Sequence, residues 1–268
     1  MLAVRRGAPG LAPATTPAPT DSSEPSTIPA ADADAYRLAL AAFLSGGRRI
    51  AFTNANPRVS VVMVLYNRAD LTLRCLRALT ASPVPLQLVL VDNGSTDHTA
   101  QLLERVDGAM VIRKQSNLGF VKAVNQGAGA ATADLLLLLN NDTDVPADSL
   151  DAAIETLESS ETIGVVVAKL VHLDGRLQEA GAIIWRDGTC QGYGRGDRPT
   201  APPYMFRRDV DYGSGAFLLT RRRTWDTLGG FDERFAPAYY EDTDFCARIW
   251  QAGPVSYTHL TLPTILRV

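Results

Sequence analysis

Hydrophobic and polar positions fall into blocks along this chain. From Arg58 onward, short apolar runs cover Val59 to Leu65, Leu86 to Val91, Met110 to Ile112 and Leu135 to Leu139. Because these runs barely alternate, they predict strands buried on both faces. Amphipathic stretches separate them: Leu71, Cys75 and Leu79; Leu103 and Val106, with Ser95 as N-cap; and Leu118 through Ala131. Strand and helix alternating at this spacing predict right-handed crossovers and an α/β fold, a Rossmann-like, mostly parallel central sheet with helices on both faces. Ligands of such sheets bind beyond the carboxyl ends of the strands. Those ends are the polar segments Tyr66-Asn67-Arg68, Asp92-Asn93-Gly94-Ser95-Thr96-Asp97 and Asn140-Asn141-Asp142-Thr143-Asp144.

The second half is less regular. A helix is predicted from about Ala147 to Leu157, following Pro146, then a strand from Ile163 to Val171, a hairpin turn at Asp174-Gly175 and a return strand from Gly181 to Trp185. The stretch from Gly192 to Pro203 reads as a loop long enough to cover a site or touch an acceptor. Ala216 to Thr220 reads as a further strand, and a last helix follows Tyr239-Tyr240 and runs through Ile249. Upstream, Tyr36, Leu40, Phe43 and Leu44 recur at helical spacing. The first 30 residues hold six of the sixteen prolines and too few large apolar side chains to offset their ordering entropy. The expected organisation is a disordered leader at 1–30, a helix and linker at 31–57, a domain at 58–253 divided near residue 144, and an atypical tail at 254–268.

Composition narrows the function classes. A formal charge of -3 gives no broad basic surface, which argues against nucleic acid as a partner. Cys75, Cys190 and Cys246 are odd in number and widely spaced, so they read as reduced thiols and not as a disulfide framework or zinc site. No apolar run reaches the length of a membrane span, so the expected location is the cytoplasm, with peripheral contact at the inner face of the membrane left open.

The carboxylates carry the candidate chemistry. A leaving diphosphate gathers negative charge that a divalent cation can neutralise, and such cations take oxygen ligands. An attacking hydroxyl must also lose a proton, which a second carboxylate can accept. Asp142 with Asp144 suits the first task, and Glu241 with Asp242 the second. The chain holds four Asp-x-Asp triplets, and only Asp142/Asp144 directly follows a five-leucine strand. Taken singly, each of these carboxylates has an ordinary structural explanation. Asp142 and Asp144 suit a turn, Glu241 and Asp242 suit a helix's first turn, and Asp244 suits a pair with Arg248.

Taken together, Val59-Ser60-Val61-Val62-Met63-Val64-Leu65-Tyr66-Asn67-Arg68, Val91-Asp92-Asn93-Gly94-Ser95-Thr96-Asp97, Asn117-Leu118-Gly119-Phe120, Leu139-Asn140-Asn141-Asp142-Thr143-Asp144, Gly213-Ser214-Gly215-Ala216 and Glu241-Asp242-Thr243-Asp244 resemble the family-2 glycosyltransferases, in particular their rhamnosyltransferase-like branch. The resemblance covers roughly residues 58 to 253 and implies the GT-A fold and inverting transfer. The sugar would move from a nucleoside-diphosphate donor to a glycan or lipid-linked acceptor in bacterial cell-surface polysaccharide synthesis. It implies Tyr66, Asn67, Asp92, Asn93, Asn117, Gly119 and Asp142 around the donor. Gly213, Ser214 and Gly215 would lie near the acceptor. A manganese or magnesium ion would sit on Asp144 and Asp142, Asp144 most directly, and Asp242 would be the base with Glu241 beside it. The tail, Pro254 to Pro263, fits the family pattern poorly and reads as foreign sequence, which makes a catalytically impaired sugar-nucleotide binding module one alternative. A nucleotidyltransferase is the other, although Val64-Leu65-Tyr66-Asn67 is not the Gly-rich basic loop such an enzyme uses.

Overall fold

The computed structural model describes residues 30–53, 55–253, 255–259 and 265–267. The expected leader therefore lies outside the described residues up to residue 29, as does part of the tail.

The predicted parallel strands form and pair in the expected direction. Val59–Leu65 lies between Leu86–Asp92 and Leu135–Leu139, parallel to both, and Ala109–Arg113 adds alongside Leu86–Asp92. Phe217–Arg221 then runs antiparallel between Leu135–Leu139 and Ile163–Val171. Val255–His259 pairs parallel to Ile163–Val171 and carries Arg208–Asp209 on its far side.

Strand residues alternate between two cores because successive side chains point to opposite faces. Val61, Met63 and Leu65 pack with Leu73, Leu76, Ile154 and Leu157 from the helices Ala69–Leu79 and Ser149–Glu158. Val62, Leu136, Leu138 and Leu218 face Val121 and Val124 of the helix Phe120–Gly129, and Phe245 and Ile249 of the helix Glu241–Ala252. Trp225, Phe231 and Phe245 form a mutually tilted aromatic cluster, centroids 5.0 to 5.8 Å apart, that fixes this last helix under the sheet. The upstream helix, Ala30–Ser45, buries Leu40 and Phe43 and lies against Ala69–Leu79.

Three local expectations change. Ser95 does not cap a helix: its hydroxyl accepts the Asn67 N–H, and the helix is the short Thr99–Leu103. Val106 is drawn instead into a two-residue strand beside Ile50. The strand returning along Ile163–Val171 is Leu177–Glu179, while Ala182–Ile184 forms its own hairpin with Cys190–Gly192. The loop after that hairpin is pinned, because the buried Lys169 ammonium donates to the Pro199 and Tyr204 carbonyls. Cys75 and Cys246 are buried, and the three cysteines form no disulfide with one another.

Candidate active site

The carboxyl ends of the central strands open on a cleft of about 800 Å³, within the usual size range of ligand sites. Its walls include Asn67, Arg68 and Asp97 on one side, Asn140 and Asp142 at the floor, and Ser214 on the other side. Arg37 and Leu40 of the upstream helix close one end, which gives that helix a place at the site that its sequence did not suggest.

Most of the predicted donor residues build the frame of this rim. The Asn67 side-chain oxygen accepts the Thr96 and Asp97 amides at 2.8 and 3.3 Å, tying the first turn to the second. Asp92 is buried and accepts the Ser95 amide. Asn93 donates to the Asn117 side chain and the Gly119 carbonyl and accepts the Leu118 amide, so it shapes the third turn. Asn117 accepts the Gly119 amide as well. Gly119 has φ +86°, and a Cβ there would lie 2.7 Å from Pro237 Cα, so a side chain fits neither the conformation nor the space. Tyr66 is half exposed beside this frame.

The two aspartates after the leucine strand diverge. Asp144 forms an ion pair with Arg74 at 2.9 Å, and the Arg74 guanidinium also stacks over the Tyr36 ring. Asp142 opens into the cleft, is exposed there, and forms no ion pair among the described residues. Desolvation by the surrounding protein raises its pKa, while its own backbone amide and then the positive charges of Arg68 and Arg74 pull the other way. Among the described residues no group of three metal-ligating side chains gathers here.

The turn Gly213-Ser214-Gly215, whose Ser214 lines the cleft, ties Asp242 to the end of the leucine strand. The Asn140 amide donates to the Ala216 carbonyl at 3.1 Å, and the Gly215 amide donates to Asp242 Oδ2 at 3.2 Å. Gly213 permits the turn to lie on the sheet, since a Cβ there would meet Val167 Cγ2 at 2.3 Å. Asp242 also accepts the Thr243 amide at 2.7 Å, and burial raises its pKa despite these bonds. Glu241 is buried with one carboxylate oxygen unpartnered, and burial, then the Asp242 charge, push it up to about 7. Asp244 pairs with Arg248 at 2.7 Å, which is the structural role its spacing suggested.

Sequence reasoning missed Glu179. It is 6% exposed, accepts the Ser214 amide at 3.2 Å, and is pushed up to about 7 by burial and then by Asp242. The available signal was a glutamate two residues after Leu177 in a strand, on the inward-facing side.

A family model described as glycosyl transferase family 2 matches residues 60–223, more than half of the chain. The chain belongs to glycosyl transferase family 2. This match sets the nucleotidyltransferase alternative aside. The chain is 31% identical over 190 residues to the O-antigen biosynthesis protein RfbC of Myxococcus xanthus, covering 67% of this chain and 15% of that protein. It is 29% identical over 220 residues to an N-acetylglucosaminyl-diphospho-decaprenol L-rhamnosyltransferase of Mycobacterium tuberculosis, covering 73% of this chain and 71% of the relative. The chain spans only 19% of an uncharacterized Sinorhizobium fredii relative, so it matches a part of some longer proteins. Among solved structures, the mannosyltransferase PcManGT of Pyrobaculum calidifontis, in complex with GDP-Man and Mn2+, superposes with a TM-score of 0.58 at 19% identity, covering 88% of this chain and 68% of that one. GalNAc-T7 with UDP, GalNAc and Mn2+ gives 0.63 at 17% identity, covering 78% and 42%. These likenesses show the GT-A fold of this family 2 glycosyltransferase domain. No helix among the described residues is long and apolar enough to cross a membrane.

Proposed function

We propose that this domain moves a sugar, with inversion, from a nucleoside-diphosphate donor to a hydroxyl of a glycan or lipid-linked acceptor in cell-surface polysaccharide synthesis. One observation carries the reading. The turn that holds the half-buried carboxylate Asp242 through the Gly215 amide continues into Ala216, which accepts the amide of Asn140, two residues before the cleft carboxylate Asp142.

Asn67, Asp92, Asn93, Asn117 and Gly119 frame the donor pocket, and Tyr66 offers an exposed ring beside it. Asp142 would hold a manganese or magnesium ion. When bound, that ion neutralises the charge gathering on the leaving diphosphate. The geometry favours Asp142 over Asp144 for the direct contact, because Asp144 is already committed to Arg74. Asp144 would act by holding the Arg74 guanidinium at the cleft wall. Asp242 accepts the proton of the acceptor hydroxyl, and burial makes it a stronger proton acceptor than an ordinary carboxylate. A single displacement follows, with no covalent sugar-enzyme intermediate. Tyr239 and Tyr240, both exposed and adjacent to Glu241, offer the acceptor an apolar face.

Calorimetry with UDP-GlcNAc, GDP-mannose and a dTDP-hexose, each with manganese, with magnesium and with chelator, tests the donor assignment. Release of nucleoside diphosphate then tests turnover. The expected result is metal-dependent binding of one of these donors. Failure of all of them under every metal condition sinks the reading, and binding without turnover leaves a sugar-nucleotide binding module.

A further inference from the structure

Glu179 has no task in the chemistry described so far, yet its position is tightly built. Its carboxylate and that of Asp242 accept consecutive amides of one turn, Ser214 N–H and Gly215 N–H, each at 3.2 Å. The hairpin strand Cys190–Gly192 packs over it at Gly192, where a Cβ would lie 3.0 Å from Glu179 Cβ and 3.3 Å from its Oε2. Glu179 forms no ion pair among the described residues. A buried carboxylate without a cation is costly to keep in a fold.

We propose that Glu179 is a positioning residue that acts through Asp242, holding the Ser214–Gly215 turn against it and keeping a second carboxylate beside it. This rests on the reading of Asp242 as the base. Holding the turn fixes where the Asp242 oxygen lies relative to the cleft, because Ser214 lines the cleft and Gly215 grips the oxygen. The neighbouring carboxylate acts on proton affinity. Of two carboxylates held on one turn, the second to ionise does so against the charge of the first, and here Asp242 raises Glu179.

The titratable groups around the pair come from every packed element. Glu241 lies on the helix of Asp242 itself. Tyr212 precedes the turn, and burial and the surrounding Cys190, Glu179 and Asp242 raise its pKa. Cys190 Sγ lies 4.0 Å from the Thr243 hydroxyl, and the exposed Arg195 pulls Glu179 weakly down. None of these supplies a close counter-ion.

The test is a carbon-13 NMR titration of the side-chain carboxyl carbons in the intact chain, which needs no substrate. Glu179→Gln keeps an oxygen for the Ser214 amide and removes the charge. In Asp242→Asn the Glu179 midpoint is expected to fall by roughly half a pH unit or more, because Asp242 is already ionised when Glu179 titrates. With the donor found to turn over, Glu179→Gln is expected to remove the change in kcat/KM that accompanies Glu179 ionisation near pH 7, and Glu179→Ala, which leaves the Ser214 amide without its acceptor, to lower kcat roughly three- to tenfold with donor KM unchanged. An unmoved Glu179 midpoint in folded Asp242→Asn overturns the proposal, as does a kcat/KM profile that Glu179→Gln leaves unchanged near pH 7. Full transfer by Asp242→Asn sinks the base assignment instead, and the titration would still report whether the two carboxylates are coupled.

Discussion

Both rims of the cleft introduce a helix in the same unusual way and use it differently. Asn67 and Arg68 have φ of 60° and 58° before the helix Ala69–Leu79, and Tyr239 and Tyr240 have φ of 78° and 68° before Glu241–Ala252. Left-handed conformations cost non-glycine residues of order 1 kcal/mol each, least for asparagine. On the donor rim the cost is offset: Asn67 binds two amides, Arg68 pairs with Asp70, and Asp97 accepts the Ala69 amide. On the acceptor rim Tyr239 is 84% exposed, and Tyr240 makes one long hydroxyl contact, 3.4 Å, to the Gly188 carbonyl. The charges differ in the same sense. Donor-rim carboxylates lie near Arg68 and Arg74, whereas Glu179, Glu241 and Asp242 form no ion pair among the described residues. Under the proposed function, the first rim would frame an anion and its metal, and the second would hold and pass protons.

The largest effect that separates the rims is expected from Asp242→Asn. Transfer should drop by roughly 100-fold or more while calorimetric donor affinity stays within about twofold of the parent, because a general base acts only in the transition state. Equal loss of donor affinity would move Asp242 to the donor rim and erase the distinction. The complementary change is Asp142→Ala. Donor binding should weaken by roughly tenfold to 100-fold with metal present and change little with chelator. Asp144→Ala should weaken it less, since Asp144 acts through Arg74. A larger loss from Asp144→Ala would return the direct metal contact to that residue.

The two rims were also unequally legible in the sequence. The donor half is a run of local strand-helix units, so unbroken apolar runs such as Leu135–Leu139 gave the strands, and the polar residues after them gave the rim. The acceptor half is held by contacts between distant segments. Nothing near Leu177-Gln178-Glu179 in sequence announces that its partner is the Ser214 amide. The short hairpins there lack the length for a clear period, which is why the return strand was expected at Gly181 to Trp185. Asp142 and Asp144 share one spacing and one loop. Their different fates depend on Arg74, a helix residue whose direction no motif encodes.

The acceptor rim's proton chemistry should appear in stability as well. Burial raises the Glu179 pKa from 4.5 to about 7, so the folded state favours the protonated form. Its contribution is therefore fully present below about pH 4.5 and is lost as pH rises through about 7. Glu179→Gln removes this loss, so its stability relative to the parent should improve between pH 5 and pH 8 by about 2–3 kcal/mol, the pH-independent cost of burying the amide cancelling in the comparison. A constant difference across that range would mean that the carboxylate is already ionised at pH 5 in the fold.

The smallest effect tests the paired left-handed residues directly. Glycine adopts positive φ freely, so replacing either residue relieves strain, and the sign of the net change depends on what the side chain contributes. Asn67→Gly gives up the acceptor for the Thr96 and Asp97 amides, and asparagine had little strain to release. It should destabilise by about 1–2 kcal/mol. Tyr240→Gly gives up one long contact and releases more strain, so it should be neutral or stabilising by up to about 1 kcal/mol. If the tyrosine is kept for the acceptor, the same variant should raise acceptor KM by roughly threefold without changing donor affinity. Thermal melts of the two variants side by side measure the sign. Two destabilisations of equal size would mean that the Tyr240 ring holds the fold together, and that the rims differ only in their charges.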